Sequence, residues 1–245
     1  MIDFLLKHYS FITHALEFLA AITGVFYYKK YKNVAAKYFI IFLLYVAICD
    51  SACYYTFYVR PNEVLSFLIG TKFQKNHWFA TLYWVIGAIL FYGFYFNKIL
   101  KTPLYKNIIK YSVYIFLIFS LIYIALNWEL FFVKFFIVLD VLGAIIILMC
   151  STFYFFEILK YDKILEFYKS INFYISLTVF IWWLIITPLS FYSLYFTYDV
   201  GKNFLDLDFV ALRRQIFLFS NIFMYLTFTF ALIFCKAEND NEKLN

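Results

Sequence analysis

Seven long apolar stretches constrain this chain more than any other feature of its sequence. A membrane-spanning helix needs about 20 apolar residues, because it crosses a hydrocarbon core roughly 30 Å thick. The stretches show no alternation of period two, which favours helices over a β-barrel. We therefore predict an all-α integral membrane protein with one seven-helix domain over 1–235 and a short cytoplasmic tail, 236–245. The predicted spans cover residues 4–28, 38–59, 77–97, 111–128, 131–156, 171–196 and 209–235, with a tight turn at 127–130 between the fourth and the fifth.

The composition excludes other classes of protein. Of the 245 residues, 65% are hydrophobic and only 15% are charged, whereas a soluble domain has roughly 25% charged residues. A soluble protein of this size could not bury so much apolar surface. The composition thus argues against a soluble enzyme, a disordered chain and a nucleic-acid-binding protein. It makes the lipid bilayer the first partner of this chain.

The distribution of basic residues predicts an orientation. Of the 21 lysines and arginines, 13 fall in the loops after spans one, three and five and in the tail. Cytoplasmic loops are enriched in these residues. We therefore expect the N-terminus outside, the C-terminus inside, and a multi-pass protein of the inner (cytoplasmic) membrane. The net charge of +6 then reports orientation rather than an acidic partner.

Two short segments resemble each other at an offset of 123 residues. Residues 16–22 and 139–145 share the pattern L-[ED]-x-L-[AG]-A-I. The match fits a parallel repeat of three spans, one linking span and three spans, as occurs in transport folds, and it pairs Glu17 with Asp140. In a chain of such biased composition, chance similarity is the alternative.

Three carboxylates lie deep within predicted spans: Glu17, Asp50 and Asp140. An ionised carboxylate at the centre of a bilayer costs roughly 2.5–3.5 kcal/mol, so such residues face the bundle interior and mark ligand or ion pathways. His14 lies three residues before Glu17, on the same helical face. Small and polar residues complete that face, since Ser10, Ala21 and Gly24 share it. We predict a ligand or ion site formed by Glu17, Asp50, Asp140 and His14.

Three basic residues lie close to the predicted outer ends of spans. Lys134 lies near the outer end of span five, and Arg213 and Arg214 lie near the start of span seven. They could pair with the buried acids or bind an entering anion. The alternative is that the long side chains only reach out to the membrane interface.

The sequence contains no recognised catalytic or metal motif. It lacks G-x-S-x-G, a P-loop, a Cys/His pair and a pattern such as H-x-x-E-H. We therefore predict no catalytic residues, no cofactor and no metal site, and an enzyme is disfavoured. In principle, His14, Glu17, Asp50 and Asp140 could still converge on an ion. The four cysteines predict free thiols rather than a disulfide framework.

The segment HALEFLAAITGVFYYKKYK, residues 14–32, resembles small seven-helix bacterial membrane proteins of sensor type. The resemblance implies a sensor working beside a separate signalling protein, and it implies no site residues. Span seven has its only lysine at its end, Lys236, which excludes a retinal protein.

Three functions follow as hypotheses. The first is a sensor or receptor that binds a small ligand in an outward-opening polar cavity and signals through a cytoplasmic partner. That partner would dock on the basic inner loops and on residues 157–169. The second is a small transporter or a proton or cation pathway that uses the intramembrane carboxylates. The third is a membrane effector or assembly subunit that acts as a homo-oligomer.

Overall fold

Seven long apolar helices dominate the protein in a computed structural model that describes residues 2–160, 167–192 and 207–237. Each is long and apolar enough to cross a membrane, and the described residues contain no β-strand. This confirms the predicted seven-helix membrane protein, while its orientation and the internal repeat stay predictions. The helices are α1 (Tyr9–Tyr31), α2 (Ala36–Cys53, continued by a 3-10 helix, Tyr54–Tyr58), α3 (His77–Ile99), α4 (Pro103–Leu126), α5 (Ile137–Lys160), α6 (Ile171–Phe191) and α7 (Leu207–Phe234).

Six of the helices pack in a ring and the fourth lies outside it. Helix α1 packs between α2 and α7, α7 packs on α6, α6 on α5, α5 on α3, and α3 on α2. Helix α4 contacts α3 and α5 and is the least buried of the seven. Large apolar side chains such as Phe26, Ile48 and Ile115 are exposed on the outer surface. In lipid this exposure carries no penalty, because the surrounding acyl chains are themselves apolar.

Helix α4 begins eight residues earlier than predicted. Lys106 and Lys110 interrupt the apolar pattern and suggested a start at 111, but both lie within the helix. Pro103 occupies the first turn, where its missing N–H costs nothing. The backbone N–H groups of Lys101 and Thr102 donate to the Glu157 carboxylate at 2.8 and 2.6 Å. The helix thus extends beyond the predicted span, and the carboxylate of a residue distant in sequence stabilises its first turn.

The connection between α4 and α5 is longer than the tight turn predicted at 127–130. It runs from Asn127 to Phe136 and includes a short helix, Trp128–Phe131. Phe131, Phe132 and Phe136 are buried. These apolar residues fill the core beside the helix ends instead of extending span five. Residues 193–196 of the predicted sixth span, and 238–245 of the predicted tail, lie outside the described residues.

Glycines mark two close contacts between helices. A Cβ atom placed on Gly24 would lie 3.0 Å from Ile40 Cγ2, and one on Gly143 would lie 2.6 Å from Ile89 Cδ1. Helix α1 can therefore approach α2, and α5 can approach α3, only because no side chain intervenes. Ala21, one turn beyond Glu17, is also fully buried.

Side chains of α1 stabilise the carboxyl end of α7. The Tyr31 hydroxyl donates to the carbonyl of Cys235 at 2.8 Å, and Lys30 Nζ donates to the carbonyl of Ile233 at 3.1 Å. The last carbonyls of a helix have no partner within the helix. This end of the bundle is thus closed by hydrogen bonds between helices.

Candidate functional site

A cavity of about 550 Å³ lies at the end of the bundle where α1 begins and α2 ends. By the predicted orientation this is the outer end. Side chains of α1, α2, α3, α6 and α7 line it, so it is formed by the tertiary fold rather than by one segment. Its aromatic lining includes Tyr9, Tyr54, Tyr83, Trp84, Trp182 and Tyr225.

Three of the four predicted site residues come together at this cavity. His14 and Asp50 line it, and Glu17 lies one helical turn further along α1 than His14. One ligand atom from each of the three side chains lies within 4.8 Å of the other two. The three-residue spacing on α1 puts His14 and Glu17 on one face, and α2 supplies Asp50 opposite them.

Glu17 is the least accessible of these groups. The residue is 1% exposed, and neither carboxylate oxygen has a hydrogen-bond partner among the described residues. The large majority of buried polar side chains are hydrogen-bonded. A buried carboxylate that lacks such bonds and lies beside a second carboxylate indicates that something else, a proton or a cation, neutralises it.

Two hydrogen bonds fix the His14 ring. Its Nδ1 lies 2.8 Å from the Ser10 carbonyl oxygen and 2.9 Å from the Tyr54 hydroxyl. A carbonyl can only accept, so we assign the proton to Nδ1. In the neutral imidazole the lone pair is then on Nε2. The ring thereby offers one basic nitrogen that the Ser10 carbonyl does not occupy.

Tyr83 positions Asp50. Its hydroxyl donates to Asp50 Oδ1, and it lies in a π-helical segment of α3, Thr81–Ile86. Such segments occur frequently at functional sites. This contact was not predictable from the sequence, because the chain has 24 tyrosines and no spacing or motif distinguishes Tyr83 from the others.

Across the cavity, the Trp182 indole N–H donates to the Asn221 side-chain oxygen at 2.9 Å. This bond ties α6 to α7 at the cavity wall. Sequence reasoning missed Asn221, since an amide within a span has no distinctive spacing to a partner.

The other predicted residues lie elsewhere. Asp140 is half-buried on α5 and is not part of the group formed by His14, Glu17 and Asp50. Lys134 and Arg214 are exposed. Arg213 stacks over the ring of Phe217, 4.6 Å from its centroid, and Phe217 lines the cavity. Ion pairing of these basic groups with the buried acids stays a prediction.

The predicted cytoplasmic docking segment needs correction at its first residue. Glu157 is only 5% exposed, and its carboxylate is occupied by the amino end of α4. It is therefore a capping residue and cannot present its charge to a partner. Residues 161–166 of this segment lie outside the described residues.

Comparisons with known proteins give this chain no relative. No family model, no curated protein and no solved structure matches it. Function therefore has to be inferred from the cavity and its side chains.

Proposed function

We propose that this chain is a receptor-like membrane protein that binds a small, positively charged ligand in the cavity. The observation that carries the proposal is a pair of neighbouring carboxylates. Asp50 lines an aromatic cavity, and an oxygen of the buried Glu17 lies within 4.8 Å of an oxygen of Asp50. Attraction between a cation and these groups is stronger here than in water, because the local dielectric constant is low. The faces of Tyr and Trp rings also attract cations.

Packing below the site is tight, as a protein that binds a ligand without transporting it requires. Beyond Glu17, Ala20 and Ala21 are buried, and Gly24 lies directly against Ile40. A transporter gives its site alternating access to both sides of the membrane. A transporter would therefore have to separate α1 from α2 here, whereas a receptor can keep this contact.

The lining thiol of Cys53 allows a direct test of the cavity. We would keep Cys53 and replace Cys49, Cys150 and Cys235 by alanine. This protein is then treated with methanethiosulfonate reagents that carry either a trimethylammonium or a sulfonate group. We expect the cationic reagent to react at least about tenfold faster, as electrostatic attraction at a charged cleft predicts.

Two matched substitutions locate the source of that preference. Asp50→Asn should reduce the ratio of the two rates, whereas Asp140→Asn should not, because Asp140 lies outside the cavity lining. The proposal would be contradicted if the two reagents modify Cys53 at equal rates, or if Asp50→Asn leaves the ratio of the two rates unchanged. Comparing intact cells with inverted vesicles also tests the predicted orientation.

A proton or cation pathway is the second candidate function. Its support is the proximity of Glu17 to His14 and Asp50, since chains of such groups relay protons in transporters. Glu17 also lacks hydrogen-bond partners among the described residues. Flux into proteoliposomes should then fall in Glu17→Gln and Asp50→Asn. Flux that is absent, or unchanged in both variants, removes this candidate. The cytoplasmic partner and the homo-oligomer stay predictions, and pull-down from membranes and the mass in detergent would test them.

A further inference from the structure

We propose that His14, Glu17 and Asp50 bind a divalent transition-metal ion, such as Zn²⁺ or Mn²⁺, at the base of the cavity. This deepens the proposed function, on which it rests, by naming the class of cation. The three residues come from two helices, and no short sequence motif contains them all. That is why the sequence alone predicted no metal site.

The donor set and its spacing suit such an ion. One imidazole nitrogen and two carboxylate oxygens form a set of ligands, between hard and soft in character, that zinc and related metals accept. Ligand atoms of a tetrahedral Zn²⁺ bound at about 2.0–2.2 Å lie roughly 3.3–3.6 Å apart. One ring nitrogen of His14 and one oxygen of each carboxylate already lie within 4.8 Å of one another, so side-chain shifts of about 1 Å would close the site.

Charge balance favours a divalent ion over a monovalent one. Two ionised carboxylates away from water are costly unless they are neutralised. A divalent ion neutralises both at once, whereas a monovalent cation does so only together with a proton. The ion would also supply the partner that both oxygens of Glu17 lack among the described residues.

Hydrogen bonds to the Ser10 carbonyl and from the Tyr83 hydroxyl orient two of the proposed metal ligands, His14 and Asp50. A histidine that binds metal almost always donates its other N–H to a carbonyl, a carboxylate or water. His14 Nδ1 has this bond to the Ser10 carbonyl at 2.8 Å, which leaves Nε2 for the metal. Tyr83 donates to one oxygen of Asp50 and so limits the rotation of the carboxylate.

Three protein ligands leave a fourth position of a tetrahedral ion to water or to a ligand atom. The adjoining cavity of about 550 Å³ has room for either. The receptor would therefore sense the ion itself, or a small molecule that binds through it.

Titration of the purified protein tests this inference. All four cysteines are replaced by alanine, so that thiols cannot contribute, and the full chain in detergent is stripped with a chelator. We expect calorimetry with Zn²⁺ and with Mn²⁺ to show one ion per chain. Glu17→Gln and Asp50→Asn should weaken binding at least about 100-fold, and His14→Ala about 10- to 100-fold. Asp140→Asn should leave the affinity unchanged.

A spectroscopic measurement distinguishes the loss of a metal ligand from misfolding of the variant. Co²⁺ bound in the unsubstituted site should show d–d absorption in a pattern of nitrogen and oxygen ligands, and His14→Ala should shift these bands.

The results of these experiments distinguish the metal site from the cation-binding cavity. If Cys53 still reacts faster with the cationic reagent but neither metal binds one per chain, the metal site is wrong and the cation-binding cavity stands. If metal binds equally well to Glu17→Gln and Asp50→Asn, the assignment of ligands is wrong. If both the reagent preference and metal binding are absent, both proposals fail.

Discussion

Two buried glutamates at opposite ends of the bundle have contrasting surroundings. Glu157 accepts three hydrogen bonds from the backbone N–H groups of Lys101 and Thr102. Glu17 is at least as deeply buried, yet neither of its oxygens has a hydrogen-bond partner among the described residues. Its nearest acidic neighbour, Asp50, adds negative charge instead of removing it.

The contrast separates a stabilising group from a binding group. A carboxylate that receives backbone N–H bonds at the amino end of a helix contributes to stability, since it satisfies donors that would otherwise lack partners. A carboxylate buried without such bonds lowers stability until a ligand supplies them. Under the proposed function, the protein uses the same residue type to stabilise one end of the bundle and to bind a ligand at the other.

Removing the bonded glutamate should have the largest effect on stability. Glu157→Ala leaves the N–H groups of Lys101 and Thr102 without their acceptor, so we expect the free energy of unfolding to fall by about 3 kcal/mol. Titration with a denaturing detergent would measure it. Glu157→Gln keeps one acceptor oxygen and should cost clearly less. Equal stability of Glu157→Ala and the unsubstituted protein would show that the cap contributes little.

Neutralising the other glutamate should act in the opposite direction. In chelator-treated protein the buried carboxyl of Glu17 must either stay charged beside Asp50 or take up a proton on folding. Glu17→Gln removes that cost, so we expect the free energy of unfolding to rise by about 1–2 kcal/mol. The same variant should no longer gain stability when Zn²⁺ is added. Thermal unfolding with and without the metal measures both effects. A loss of stability in the metal-free protein would place Glu17 with Glu157 as a structural residue.

Tyr83→Phe should have a smaller effect. It removes the hydroxyl that donates to Asp50, so we expect a loss of about 1 kcal/mol in stability and about tenfold weaker metal binding. Tyr114→Phe, at an exposed position on α4, is the matched control and should change neither quantity. An unaltered affinity in Tyr83→Phe would show that the hydroxyl does not position the carboxylate.

Asp140→Asn should have the smallest effect on metal affinity and on stability. The residue is half-buried on α5 and lies outside the group formed by the other acids. We expect metal affinity within about twofold of the unsubstituted protein and a stability change within about 0.5 kcal/mol. Calorimetry and thermal unfolding would measure both. Strong loss of binding would instead support the sequence-based prediction that Asp140 belongs to the site.

Hydropathy predicted the helices because lipid leaves the backbone few alternatives. A chain in hydrocarbon must satisfy its own N–H and C=O groups, so a long apolar run becomes a helix. The ends were less predictable, because they depend on contacts distant in sequence. Glu157 fixes the start of α4, and Tyr31 binds the last carbonyls of α7.

The site was predictable only within single helices. A three-residue spacing sufficed to put His14 beside Glu17, and the depth of Asp50 within its span marked it as a buried acid. Which faces of different helices meet is decided by packing. Hence the sequence could not show that Asp50 joins these residues and Asp140 does not, nor that Tyr83 completes the arrangement.

The π-helical segment of α3 has a mechanical consequence. Each of its hydrogen bonds spans one residue more than in an α-helix, so conversion to regular α geometry would rotate the rest of α3 by roughly 100°. Ile89 and Gly93, which pack against Gly143 and Val113, would turn with it. The hydroxyl bond from Tyr83 to Asp50 ties the π-helical segment to α2 and so opposes such a rotation.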